Sequence, residues 1–377
     1  MNSLSKVALE RQTIICAGPG GVGKTTCAAA IALEGARLGL RACVVTIDPA
    51  KRLADALGLE VLTNEAHKVE LTGLGRGGPG AKSRGGELWA LMLDTKTTFD
   101  DVVRRNAGSE EQAQAILDNK LYRNISGALG GTQEYMAMEK LYELHHLGRF
   151  DLVVVDTPPT RHALDFLDAP GRLLRFLNNR MFRLLMVPTR AGLKALGMAT
   201  QLLLRTISRV VGGAVVADAV AFFAAFEGME QGFRDRATKV EQLLSDSGTA
   251  FVVVASPRRD AVTEAIYFAD RLRESARRVD ALVINRMFPY FGPVPPQLHE
   301  AAGTDPTIAA LVTNLGDLDG VAGREEQYVA ALAARLPGAP IIRVPFLSDD
   351  VHDLGGLAEV GRWLFDAAAA DDTRVPG

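Results

Sequence analysis

The sequence predicts an α/β protein: a doubly wound, mostly parallel sheet with an inserted helical subdomain. Three observations carry this expectation. The apolar run Thr13-Ile14-Ile15-Cys16-Ala17 leads through Gly18-Pro19-Gly20-Gly21-Val22-Gly23-Lys24-Thr25-Thr26 into an alanine-rich, helix-like segment, Cys27 to Leu38. Strand-length runs rich in β-branched residues then alternate with amphipathic, helix-length segments, the pattern of a parallel sheet. Finally, about residues 97–148 and 165–246 the period turns helical on both sides of a single buried strand, which reads as a helical insertion.

In chain order, the first strand and its glycine loop come first. Strand, glycine loop and helix together are the context of a phosphate-binding P-loop, because several backbone N–H groups must converge on one anion at a helix N-terminus. Gly20, Gly21, Val22 and Gly23 would let the phosphates approach, with Thr26 closing the nucleotide-binding stretch. Lys24 would bring a point charge to the β- and γ-phosphates, and the Thr25 hydroxyl would ligate Mg²⁺. Arg41 to Ile47 is the second strand, ending at Asp48-Pro49-Ala50, where a strand-end carboxylate faces the ligand crevice. Residues 73–86 are dense in glycine with no apolar period, and read as a flexible surface insertion or a lid. Leu88 to Leu93 is a third strand, closed by Asp94.

The segment Asp151-Leu152-Val153-Val154-Val155-Asp156 follows the first helical block. Its apolar residues suit a central strand covered on both faces, and Asp156 fits the acid that holds Mg²⁺ opposite the loop threonine. The second helical block is strongly apolar from Leu202 to Met229, but Arg205, Arg209 and Asp218 interrupt it, so no spanning helix is expected. Its helices pack among themselves or line an apolar groove for which Met181, Met186, Met198 and Met229 are available. Strands resume at Phe251–Ala255, Ala281–Asn285 and Ile341–Val344, separated by amphipathic helices from Asp260 to Arg278 and from Arg324 to Leu336. The nucleotide-binding core is thus expected over about 10–96, 149–164 and 248–365, in one domain spanning 1–377.

Composition narrows the class. Charged residues are 23% of the 377 and the formal net charge is -3, which gives no basic surface for nucleic acid or an anionic membrane. The three cysteines, Cys16, Cys27 and Cys43, lie beside the loop in strand or helix positions and read as small core residues of a reducing compartment. No Cys-x-x-Cys is present to hold zinc. The chain starts without a basic-then-apolar signal segment, so a cytoplasmic protein is expected, or one held at a membrane through a partner.

Three separated motifs resemble one family. Gly18 to Thr26 resembles the deviant P-loop of the ArsA-type and tail-anchored-protein-targeting ATPases, SIMIBI-class P-loop NTPases. Asp48-Pro49-Ala50-Lys51-Arg52-Leu53-Ala54-Asp55 resembles their first switch, and Asp156-Thr157-Pro158-Pro159-Thr160-Arg161-His162-Ala163-Leu164 their second. Asn285 and Val344-Pro345-Phe346-Leu347 resemble the adenine-side strands. The resemblance implies an ATPase that works as a nucleotide-gated dimer. In it Asp48 orients the attacking water, Thr25 and Asp156 hold Mg²⁺ partly through water, and Thr157 to His162 sense the γ-phosphate.

The chain departs from that pattern in four ways. Pro19 stands where the family has a lysine that reaches the partner's phosphates, so a paralogous partner would supply that charge, or Lys51 or Arg52 would substitute. The zinc-holding Cys-x-x-Cys and the metalloid-binding cysteines are missing, and there is a single P-loop. Three functions are expected from this. The first is an ATP-driven switch whose helical block handles a hydrophobic client or membrane partner. The second is a slow-turnover, regulatory half of a heterodimer, and the third an ATPase subunit of an anion or arsenite exporter.

Overall fold

A computed structural model describes residues 3–47, 52–71, 85–120, 122–123, 132–158, 160–178 and 213–366. Contacts divide the chain into two compact units, Met1–Met92 with Leu147–Leu164 and Ser247–Gly377, and Leu93–His146 with Asp165–Asp246.

The first unit is an eight-stranded sheet with helices on both faces. Its strands are β1 (Thr13–Ala17), β2 (Arg41–Thr46), β3 (His67–Val69), β4 (Glu87–Met92), β5 (Leu152–Asp156), β6 (Thr249–Ala255), β7 (Ala281–Met287) and β8 (Ile341–Pro345). They lie in the order β3-β4-β2-β5-β1-β6-β7-β8, every pair parallel except β3 with β4. The chain thus belongs to the α/β class, with the mostly parallel sheet its sequence predicts. All residues of β1, β5 and β6 are buried, which explains why they read as unbroken apolar runs rather than alternating ones.

The helices of this unit are α1 (Ser3–Glu10), α2 (Lys24–Arg37), α3 (Arg52–Ala56), α10 (Arg259–Glu274), α11 (Pro296–Ala302), α12 (Pro306–Ala333) and α13 (Leu354–Phe365). Small residues dominate α2, so it packs close: Ala28, Ala29, Ala30, Ile31, Ala32 and Leu33 are fully buried, in one cluster with Ile14, Val44, Val154 and Val252 of the sheet and Leu357 and Leu364 of α13. α10 packs on β6 through Ala265, Phe268 and Leu272, outside that cluster. Two helices differ from expectation. α2 begins at Lys24 rather than Cys27, so the last loop residues are already its first turn. α12 extends over 28 residues where the sequence suggests only Arg324 to Leu336, because Asp305 caps it at Thr307 and Ile308 and Pro306 fits its first position.

The second unit is helical: α4 (Thr95–Asn106), α5 (Glu110–Leu117), α6 (Thr132–His146), α7 (Thr160–Asn178), which starts in the first unit, α8 (Gly213–Phe226) and α9 (Glu230–Ser245). Val102, Val103, Ile116, Tyr122, Met136, Leu177 and Phe233 form its core. Met229 is 1% exposed within that core, so it packs there instead of lining a groove. Phe222, Phe223 and Phe226 of α8 are half-buried against the same cluster. Residues 202–212, with Met181, Met186 and Met198, lie outside the described residues. So does 73–84 of the glycine-rich segment. Among the described residues no helix is long and apolar enough to cross a membrane.

Candidate functional site

The register of the sheet assembles the site. In the parallel pairing, Asp156 at the end of β5 lies opposite Cys16 on β1 and Thr46 on β2, so three strand ends meet in one row. The loop after β1 then turns over that row into α2. Gly18 makes the turn where a Cβ would stand 1.9 Å from the Val254 carbonyl oxygen of β6. Gly23 precedes the helix with φ 90, and its absent Cβ leaves room for Asn285, whose Nδ2 would be 2.3 Å away. No side chain caps the start of α2, which leaves its first N–H groups directed at the loop's concavity.

The side chains follow from that frame. The Thr25 hydroxyl donates to Asp156 Oδ2 at 2.6 Å, and the Thr46 hydroxyl donates to the same oxygen at 3.0 Å. Asp156 itself is 1% exposed. Lys24 is buried, and its ammonium donates to the Pro19 carbonyl at 2.9 Å, so the charge stays inside the loop. Thr157 is buried and donates to the Cys16 carbonyl at 2.9 Å, tying the second-switch sequence to the end of β1. From the end of β7, Asn285 donates to the Val22 carbonyl at 2.9 Å.

A cleft of about 880 Å³ opens over this arrangement, lined entirely by residues of the first unit. Gly21, Gly23, Lys24, Thr25, Thr26, Asp156 and Thr157 line it together with Asn285, Pro345 and Phe346. Phe346 is 62% exposed, a flat apolar face available for stacking. Sites that hold drug-sized ligands run from ~300 to 1,000 Å³, so a nucleotide fits. The donors at Thr25 and Asp156 are hard oxygens, the chemistry that Mg²⁺ prefers.

Burial dominates the neighbouring thiols. Desolvation pushes Cys27 up to about 12, with the Asp156 carboxylate adding to the rise, and it also pushes Cys16 well above its ordinary value. With all three cysteines buried, they are core residues here rather than nucleophiles or metalloid ligands.

The family model for anion-transporting ATPases matches residues 11–291. The chain belongs to that family. Its relatives include the uncharacterized protein SCO2128 of Streptomyces coelicolor, 31% identical over 286 residues, or 74% of this chain and 63% of that protein. The ATPase GET3 of Malassezia globosa is 25% identical over 275 residues, 73% of this chain and 72% of the relative. ATPase GET3B of Arabidopsis thaliana is 26% identical over 298 residues, 74% and 65% of the two chains. The chain thus spans just under two thirds of the Streptomyces and Arabidopsis proteins. Membership in an ATPase family implies ATP as the nucleotide used.

Gly21, Gly23, Lys24, Thr25, Thr26, Asp156 and Thr157 thus line one cleft with Asn285, Pro345 and Phe346, while Gly20 and Val22 belong to the same loop without lining it and Val22 meets Asn285 through its carbonyl. Arg52, exposed at the start of α3, lines it too. Asp48, Pro49, Lys51 and Pro159 lie outside the described residues; Pro158 is half-buried after β5, and Thr160 and His162 fall in the opening turn of α7. Asp55, the last residue of the first-switch sequence, lines the cleft as well, and sequence reasoning missed Arg286, Asp349, Asp350 and His352, which also line it. Arg286 had a usable signal, since it follows Asn285 at the end of a parallel strand, where such sheets bind ligands.

Proposed function

We propose that the chain binds and hydrolyses ATP in this cleft and works as a dimeric switch, coupling turnover to a hydrophobic client or membrane partner through its helical unit. The observation that carries the reading is the Thr25–Asp156 contact at 2.6 Å beside Lys24, in a cleft that Asn285 and Phe346 also line. Thr25 and Asp156 would hold Mg²⁺, which would supply charge neutralisation for the β- and γ-phosphates. Lys24 adds its ammonium to the same phosphates, and the uncapped N–H groups of α2 bind their oxygens. Asp48, two positions beyond Thr46, orients the attacking water. Thr157 to His162 sense the γ-phosphate, and the chain passes from one unit to the other within the α7 that follows.

Two variants test this division of roles. Lys24→Ala is expected to abolish ATP binding, while Asp48→Asn keeps binding and lowers kcat by about 100-fold or more. Calorimetric binding with single-turnover hydrolysis reads both; equal loss of binding in the two variants would reject the assignment. Client handling is tested by nucleotide-dependent capture of an apolar transmembrane peptide, and indifference to nucleotide rejects it.

A second reading rests on Pro19, whose ring carries no charge to the neighbouring site. In it the chain is the slow half of a heterodimer, and Pro19→Lys raises turnover of the isolated chain. Turnover unchanged both by that substitution and by an added paralog counts against it. A role as exporter subunit predicts stimulation by arsenite, and none is expected from buried thiols.

A further inference from the structure

Arg286 is a residue whose backbone and side chain both call for an explanation. Its φ is 62, in the left-handed region that side chains avoid, and among the described residues Ala276 alone shares that departure without being glycine. Arg286 sits where the pairing of β7 with β8 slips between Ile284 and Met287, so the distortion is a bulge at the cleft end of the strand. Bulges of this kind re-aim a side chain, and this one aims the guanidinium at the P-loop. Its Nη1 donates to the Gly21 carbonyl at 3.5 Å, and the residue lines the cleft while remaining exposed. The preceding Asn285 donates to the Val22 carbonyl at 2.9 Å. Two successive residues at one strand end therefore take the carbonyls of two successive loop residues. A peptide whose carbonyl is held outward presents its N–H inward, which is the orientation an anion-binding loop needs.

We infer that Arg286 is a positioning residue for the phosphate site: it holds the Gly21 carbonyl out of the cradle and places a permanent positive charge at its mouth. The bulge exists to deliver that side chain, and the strained φ is the local cost of doing so. The inference rests on the proposed ATP site and names how its loop is preorganised.

The test separates strain from function. Arg286→Gly relieves the left-handed conformation and removes the donor, while Arg286→Lys keeps the charge without the fork. Calorimetric titrations of the full chain with ATP, ADP and adenosine are compared, together with melting temperatures without nucleotide. The expected result is a melting temperature for Arg286→Gly equal to or above that of the wild type, with ATP and ADP affinity down by roughly 3- to 10-fold, the range of one hydrogen bond. Adenosine affinity should stay unchanged, and Arg286→Lys should recover part of the loss. ATP affinity within twofold of wild type in Arg286→Gly, or an equal loss for adenosine, would overturn the inference. A wild-type chain that binds neither ATP nor ADP would bring down the proposed function itself and this inference with it.

Discussion

At the residue scale, the site depends on a few atoms that cannot be enlarged or moved. Gly23 combines φ 90 with an Asn285 amide in the space of its missing Cβ. Gly23→Ala therefore meets two penalties, a left-handed backbone worth about 1–2 kcal/mol and a displaced Asn285. Its expected outcome is a lower melting temperature with ATP binding weakened at least tenfold; a variant that binds like the wild type would show that Asn285 yields freely. The thiols make a second residue-scale test. Cys27 is pushed up to about 12 by burial, and Cys16 and Cys43 are equally enclosed, so thiolate is scarce at neutral pH. A disulfide reagent at pH 8 should label none of the three in the folded protein and all three in denaturant. Rapid native labelling would mean the α2 packing opens far more often than this core allows.

At the element scale, α2 opens at the cleft and packs its apolar residues into the core cluster of the sheet unit. Ile31 is fully buried there among Ile14, Val44 and Val154. Ile31→Ala should cost about 2–5 kcal/mol, read as a shifted denaturant midpoint, because the helix cannot close the resulting cavity without losing its contacts along the sheet. α12 shows the opposite balance. Only Ala322, Val329 and Leu332 of its 28 residues are buried, so its first half leans on Asp305, its own hydrogen bonds and shallow packing against α11. Asp305→Ala is expected to cost about 1 kcal/mol locally and to speed amide exchange in the first turns without changing ATP binding.

At the scale of the whole molecule, the cleft proposed for the nucleotide lies in the sheet unit, and the helical unit has an electrostatic centre of its own. Glu139 of α6 is 1% exposed and ion-pairs with Arg236 of α9. Desolvation raises the Glu139 carboxyl above its ordinary value, with Arg236 opposing. A raised folded-state value means the proton is held more tightly when folded. Wild-type stability relative to Glu139→Gln is then greatest below the ordinary carboxylate range, and is lost as pH rises through the raised value. Melting temperatures of the two proteins from pH 4 to 8 should diverge in favour of the glutamine variant; parallel curves would mean that the Arg236 pair fully offsets burial.

The sequence by itself determined the α/β class, the loop that names the site, the strand-end acid Asp156 and membership in one ATPase family. Each rests on residues adjacent in the chain: β-branched runs, glycines at set positions, and a lysine and threonine that follow them. It also showed Thr25 and Asp156 as partners, though their contact bridges 131 positions, because parallel strand ends must share one edge. Tertiary structure alone decided the rest. β3 is three residues long and has no period to read, and α12 hides behind Gly316, Gly320 and Gly323, each of which looks like a stop. The hold of Asn285 on Val22, 263 positions away, and the turn of Arg286 toward Gly21 depend on a bulge between β7 and β8. Such a bulge arises from how two strands fit, and neither strand's own residues spell it out.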